Sequence, residues 1–230
     1  MSKLFLVPNT ISEERYDLLP EYIAPEIRGV RVFFVEEPKS GRKLLKNLDP
    51  AFPLRDCRFL GLNEHTSSHD IHSFIDILKK QDGAVISESG CPCVADPGSE
   101  LVALAHQNRI EVIPLIGPSS IILALMASGL NGQNFAFNGY LPKDRTQRIQ
   151  KIKQLQERSS KEKQAQIFME APFHNQSLLE DILASCRDNT RLCIACDIAG
   201  PHQSIKTMSI EAWKKSTVEL DKKPVLFLLQ

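Results

Sequence analysis

The sequence predicts an α/β fold of two lobes with mixed sheets. Short apolar runs alternate with stretches of helical periodicity along all 230 residues, which is typical of strands interleaved with helices in layers. The alternation of strands and helices restarts near 128–132, and the pattern after that point favours strands that end in hairpins. We therefore predict an N-terminal lobe over residues 1–117 and a C-terminal lobe over residues 118–230.

The first half predicts five strands separated by helices. Lys3 opens the first strand and Pro8 ends it, because proline removes a backbone donor. The clearest helix begins at Ser67 or Ser68, where serine side chains cap helices well. Apolar residues then recur at the spacing of one helix face. The predicted strands are 3–7, 30–35, 57–62, 84–87 and 111–116, and the predicted helices are 40–48, 67–80 and 99–109.

The second half begins with an apolar helix and continues with strands and two longer helices. Pro118 and the serines after it occupy positions that favour a helix start. The predicted helices are 121–127, 144–158 and 175–186, and the predicted strands are 135–141, 166–170, 191–197, 204–210 and 224–229.

Composition excludes several classes of protein. Lys plus Arg and Asp plus Glu both number 28, so the formal net charge is zero and a strongly basic nucleic-acid-binding protein is excluded. No apolar stretch approaches the roughly 20 residues of a membrane span, and the start lacks the apolar core of a signal peptide. Six scattered cysteines then indicate reduced thiols. We expect a cytoplasmic protein with no membrane partner.

Two loops favour ligand binding. Residues 87–98 follow a predicted strand and contain two glycines, two prolines and small side chains, which let the main chain approach a ligand closely. Residues 114–120 again run from strand to turn to helix start, where backbone N–H groups can meet a polar ligand. In parallel α/β sheets ligands bind beyond the carboxyl ends of strands. Either loop taken alone is also consistent with an ordinary connection.

These loops resemble motifs of the tetrapyrrole methylase family. The order Ser-Glu-Ser-Gly-Cys-Pro-Cys-Val-Ala-Asp-Pro-Gly at 87–98, Ile-Gly-Pro-Ser-Ser at 116–120 and Ala-Ser-Gly-Leu at 127–130 is similar to the family's pattern. The similarity is strongest to the branch that methylates a cytidine ribose 2′-hydroxyl in small-subunit ribosomal RNA. That branch reads S-D-A-G-T-P-G-I-S-D-P-G, P-G-P-S-A and A-S-G-L. Further matches lie at 137–142 and 169–174.

The resemblance implies S-adenosylmethionine in a cleft between two α/β lobes, and a homodimer. Much of the contact is expected through backbone. The implied cofactor-binding residues are Pro8, Ser89, Gly90, Cys91, Val94, Ser119, Ser120, Met169, Ala171 and Ile198. Other positions depart from the branch: Pro8-Asn9-Thr10-Ile11-Ser12 replaces P-I-G-N-L, and Glu36-Glu37-Pro38-Lys39 replaces E-D-T-R.

Methyl transfer to a ribose hydroxyl benefits from a base that takes the proton. Glu36, Glu37, Glu64 and His65 are the candidates, since they follow early strands, although each is also consistent with a solvated surface group. No metal is expected, because His65 precedes the helix that carries His69 and His72. A basic run at 143–163 could contact the phosphates of ribosomal RNA or the 30S subunit.

The leading hypothesis is a methyltransferase acting on ribosomal RNA ribose. Two alternatives stay open: methylation of a corrin-type tetrapyrrole, and a non-catalytic relative that binds RNA or the ribosome.

Overall fold

The computed structural model describes residues 2–13, 15–220 and 222–230. The chain divides into two compact units, Met1–Ser119 and Ser120–Gln230. The predicted lobe boundary, between residues 117 and 118, lies just before this division. Each unit carries its own five-stranded sheet.

The first unit is built on a parallel sheet with strand order β3-β2-β4-β1-β5. Strand β1 lies between β4 and β5, so the loops that follow these three strands leave the same edge of the sheet side by side. The strands are β1 (Lys3–Val7), β2 (Val32–Val35), β3 (Arg58–Gly61), β4 (Gly83–Ile86) and β5 (Glu111–Pro114), and the helices are α1 (Ile23–Ile27), α2 (Pro38–Leu48), α3 (Ser68–Leu78) and α4 (Ser99–Gln107).

Both faces of this sheet are buried. Strand β2 is fully buried, and its side chains alternate between two apolar clusters. Phe33 and Val35 pack on one face with Leu44 and Leu45 of α2. Val32 and Phe34 pack on the other face with residues of α3 and α4. Burial on both faces explains why β2 reads as a continuous apolar run, as expected in a parallel sheet.

The second unit has a mixed sheet with strand order β6-β7-β10-β8-β9. Strands β6 and β7 are parallel, and the other neighbouring pairs are antiparallel. The strands are β6 (Phe135–Tyr140), β7 (Ala165–Met169), β8 (Arg191–Cys196), β9 (Ser204–Ser209) and β10 (Val225–Leu229), and the helices are α5 (Ser120–Ser128), α6 (Arg145–Glu162), α7 (Asn175–Ser185) and α8 (Ile210–Lys214).

The predicted α/β class is confirmed, with one sheet parallel and the other mixed. Every predicted strand is present within two residues of its predicted ends. Helices α1 and α8 were not predicted, and α6 runs beyond the predicted end at 158 as far as Glu162. Within the described residues, no helix combines the length and apolar character that crossing a membrane requires.

Candidate functional site

The loops after β1 and β4 are joined by backbone and side-chain hydrogen bonds. Asn9 N–H donates to Gly90 O at 2.9 Å, and Gly90 N–H donates to Asn9 O at 3.2 Å. The buried Asn9 amide also donates to Ser87 O at 3.0 Å and to Glu88 O at 3.2 Å. Asn9 stands where the branch motif has isoleucine. Its side chain therefore gives this chain hydrogen bonds that hold the loop at 87–90.

The loop after β5 meets the same two loops. Pro8 packs so closely on Gly117 that a Cβ atom at position 117 would lie 2.2 Å from the Pro8 Cβ. The Cys91 thiol donates to Pro118 O at 3.4 Å. The turns at 87–98 and 116–119, which sequence analysis singled out separately, therefore touch one another within the first unit.

The loop at 87–98 contains unusual backbone conformations. Cys93 and Ala95 have φ angles of 65° and 57°, in the left-handed region that residues other than glycine rarely adopt. The branch motif carries glycine where this chain has Cys93. Burial raises the pKa of the Cys93 thiol to about 11, so it stays protonated at neutral pH and is not a nucleophile. Strained residues of this kind cluster at ligand-binding sites.

A cavity of about 830 Å³ lies at the carboxyl ends of β2, β3 and β4. It is lined by all four residues proposed as proton acceptors, Glu36, Glu37, Glu64 and His65, so the structure brings them together. It is strongly acidic. Among the described residues, its other carboxylates are Glu88, Asp96 and Glu100, and no Lys or Arg lines it.

Sequence analysis did not select Asp96, which has the most strongly raised pKa of any carboxyl in the described residues. Burial, a side-chain hydrogen bond with Glu36 and the charges of Glu36 and Glu88 together raise the pKa of Asp96 to about 8. The available signal was the Asp-Pro-Gly at 96–98 within the family-like motif. Sequence could not reveal the shift, because Glu36 lies sixty residues away along the chain.

The four predicted proton acceptors differ in their surroundings. Glu37 caps α2, since its Oε1 accepts from Lys39 N–H at 3.1 Å. Glu64 and His65 are exposed, and the Glu64 Oε1 lies 3.4 Å from the His65 Nε2. Glu36 is half-buried and in contact with Asp96, which makes it the candidate best placed to share a proton.

Three of the four cofactor residues proposed in the second unit lie at the carboxyl ends of neighbouring parts of its sheet. Met169 ends β7 and Cys196 ends β8, and both strands pair with the start of β10 at Leu226 and Val225. Ala171 and Ile198 follow β7 and β8 directly. The fourth, Ser120, is the first residue of α5.

Part of the basic run at 143–163 is structural. Arg148 is buried, and its Nε donates to Asp181 at 2.8 Å, while the Nε of Arg145 donates to the same carboxylate at 2.9 Å. Arg158 pairs with Glu162 within α6 at 3.2 Å. A phosphate could reach Arg148 only by replacing Asp181, whereas Arg145 and Arg158 are exposed and pair through Nε alone. In residues 2–13, 15–220 and 222–230, no three His, Cys, Asp or Glu residues are grouped as metal ligands.

Comparison with known proteins gives consistent matches. The family model for tetrapyrrole (corrin/porphyrin) methylases matches residues 15–213. A Halalkalibacterium halodurans protein named Ribosomal RNA small subunit methyltransferase I is 34% identical over 149 residues, 64% of this chain and 48% of that protein. A Thermotoga maritima protein of the same name is 31% identical over 178 residues, 77% of this chain and 75% of that protein.

The chain thus spans about half the length of the Halalkalibacterium halodurans relative. Among solved structures, a diphthine synthase superposes with a TM-score of 0.68 over 99% of this chain and 89% of that chain. The two are 13% identical, so this likeness shows a shared fold.

Proposed function

The chain belongs to the tetrapyrrole (corrin/porphyrin) methylase family, and from that premise we propose that it is an S-adenosylmethionine-dependent methyltransferase that methylates a ribose 2′-hydroxyl in small-subunit ribosomal RNA. The observation that carries the proposal is the meeting of the loops after β1, β4 and β5, which bear the family-like motifs. The names of the relatives support ribosomal RNA as the substrate.

The residues of the first unit fit a sulfonium nucleotide. The loops after β1, β4 and β5 present backbone groups and small side chains at Pro8, Ser89–Cys91 and Ser119, and a ligand can therefore approach them closely. The neighbouring acidic cavity suits a positively charged sulfonium. Val94, half exposed in the same loop, is proposed to contact the cofactor with them. The resemblance adds Ser120, Met169, Ala171 and Ile198 from the second unit.

The chain's own residues have two tasks in this reaction. When bound, the cofactor supplies an already activated methyl group, so positioning of the acceptor contributes most of the acceleration. Transfer forms an O–C bond, breaks a C–S bond and releases the hydroxyl proton. The pair formed by Glu36 and Asp96 accepts that proton, because a pKa of about 8 lies near the working pH.

Two measurements test the proposal. Calorimetry should show binding of both S-adenosylmethionine and S-adenosylhomocysteine; no heat with either would contradict the cofactor assignment. Purified 30S subunits from cells that lack the protein should then gain one ribose methyl group when incubated with protein and cofactor, as read by mass spectrometry of nuclease fragments. Binding without any methylated fragment would contradict the RNA substrate and leave the tetrapyrrole and non-catalytic alternatives.

We also propose that the protein is a cytoplasmic homodimer, as the resemblance implies. Light scattering after size exclusion should give twice the 25.8 kDa chain mass. A mass near that of a single chain at micromolar concentration would contradict the dimer.

A further inference from the structure

The second unit contains a cavity of about 390 Å³ where α6 ends, β8 begins and β10 ends. Three cationic side chains, Lys163, Arg187 and Arg191, line this basic pocket together with polar amides and hydroxyls. Among the residues that the structure describes, no carboxylate side chain lines it. The pocket therefore has the opposite electrostatic character to the acidic cavity of the first unit.

The three cations line one pocket without acidic partners among the described residues. Arg191 donates to Gln230 Oε1 at 2.9 Å and to Gly129 O at 3.3 Å, which are both neutral acceptors. No ion pair within the described residues involves Lys163, Arg187 or Arg191. Like charges placed close together repel, and an anion in the pocket would relieve that repulsion. Arginine and lysine with amide donors are the groups that bind phosphate oxygens.

Charge is distributed unequally between the two units. Met1–Ser119 has 13 Lys plus Arg against 17 Asp plus Glu, whereas Ser120–Gln230 has 15 against 11. The zero net charge of the chain conceals this difference. An RNA backbone is repelled by the acidic cavity, so its phosphates require a positive surface elsewhere.

We propose that the basic pocket binds a phosphate group of an RNA strand. This inference rests on the proposed RNA substrate and assigns a second point of contact, separate from the methyl-transfer chemistry. Asn189 and Asn131 also line the pocket. The Asn131 amide donates one of its two N–H groups to Lys163 O at 2.7 Å, so its second N–H group and the Asn189 amide are further donors for a phosphate. Such a contact positions the strand without reading its sequence.

The test compares two double variants of the full chain that remove equal charge. In the pocket variant, Lys163→Asn and Arg187→Gln neutralise two cations; asparagine suits the left-handed backbone of residue 163, whose φ is 51°. In the control variant, Lys222→Asn and Lys206→Gln neutralise two exposed lysines of the same unit that lie outside the pocket and outside the basic run at 143–163; residue 222 also has a left-handed backbone, with a φ of 61°. The probe is a fluorescein-labelled single-stranded RNA of mixed sequence, and its anisotropy gives Kd at several salt concentrations.

We expect the pocket variant to bind RNA about tenfold more weakly at low salt. Its slope of log K against log salt should shrink by about 0.7, since the pocket holds one phosphate group and each phosphate contact on a single strand contributes about 0.7. The control variant should change the slope much less. Equal losses in the two variants would overturn the proposal.

Further arms identify the ligand and separate this proposal from the proposed function. Millimolar inorganic phosphate should leave RNA binding nearly unchanged, and displacement of RNA by micromolar phosphate would assign the pocket to the free anion instead. Polyglutamate that competes as well as RNA would also overturn the proposal.

Calorimetry with S-adenosylhomocysteine should be identical in both variants and the unaltered protein. Cofactor binding without a pocket effect on RNA would refute this inference alone, and absent cofactor binding would refute the proposed function.

Discussion

The carboxyl group of Asp96 is surrounded by other carboxylates instead of being paired with a cation. Glu36 hydrogen-bonds to it, and the charge of Glu88 acts in the same direction. By contrast, the buried Asp181 is neutralised by Arg145 and Arg148. Crowding like charges lowers stability, and a carboxyl with a raised pKa in a cavity is typical of a functional site.

The substitution Asp96→Asn should stabilise the protein at alkaline pH. Asp96 holds its proton more tightly in the folded chain, with a pKa of about 8, than in the unfolded chain, with a pKa of about 4. The free energy of unfolding therefore falls as pH rises from about 4 to about 8, and asparagine escapes this loss. Solvent screening limits the gain to about 1 kcal/mol.

Urea unfolding at pH 4, 6 and 8 measures this effect. The advantage of the variant should grow with each step in pH. Asp76→Asn, which alters an exposed carboxylate beside Lys79, is the control and should change stability by less than about 0.5 kcal/mol. An advantage for Asp96→Asn that is largest at pH 4 would reverse the sign and contradict the assignment.

Methyl transfer should depend on the same ionisation. If the pair of Glu36 and Asp96 accepts the proton, kcat should rise with pH and level off above about 8, where Asp96 is ionised. In Asp96→Asn the rate should fall about 10²-fold or more and this inflection should disappear. Single-turnover rates with saturating cofactor give the profile. An unchanged profile in the variant would show that another group takes the proton.

At the scale of elements, the loop at 87–98 depends on its residues packing against one another. Gly98 has a φ angle of 121°, which only glycine adopts readily, and it is the N-cap residue of α4. A Cβ atom there would lie 2.9 Å from the Cys93 Sγ. A side chain at position 98 would therefore displace the Cys93 side chain, and residues 95–98 form part of the wall of the acidic cavity.

Gly98→Ala should destabilise the protein by about 2 kcal/mol or more, because it combines a forbidden backbone conformation with a steric clash. Cofactor affinity should fall as well, since the loop would rearrange. Gly29→Ala is the matched control, as its Cβ would meet nothing within 4 Å and its φ is ordinary. Thermal unfolding and calorimetry measure both effects, and equal stability of the two variants would be inconsistent with a constrained loop.

Elements with strong local signals were predictable from sequence, and those fixed by distant contacts were not. Ser67 caps α3 as predicted, its Oγ accepting from Asp70 N–H at 3.2 Å. Helices α1 and α8 are five residues long, too short to show a period. Helix α6 continues past 158 because Ser159 is buried against the sheet, where its Oγ donates to Leu229 O at 3.5 Å.

At the scale of the whole molecule, the candidate site shows the same division. Sequence located the loops and the four acceptor candidates, because their motifs are local. It missed Asp96 and the basic pocket, because both depend on charges brought together by folding. A formal net charge of zero correctly excluded a uniformly basic protein. It could not reveal that an acidic first unit is joined to a basic second unit.

This unequal distribution predicts that the acidic cavity opposes RNA binding through its field. Neutralising two of its exposed carboxylates with Glu64→Gln and Glu100→Gln should strengthen RNA binding about three- to tenfold at 50 mM salt, because each removes repulsion of the backbone. The gain should shrink at 500 mM salt, where salt screens the repulsion between the exposed carboxylates and the RNA phosphates. Glu21→Gln with Glu26→Gln is the control, since it makes the same change in net charge at exposed positions outside the cavity. A gain of equal size in both variants would mean that RNA responds to net charge alone, and the acidic cavity would then have no specific effect on RNA binding.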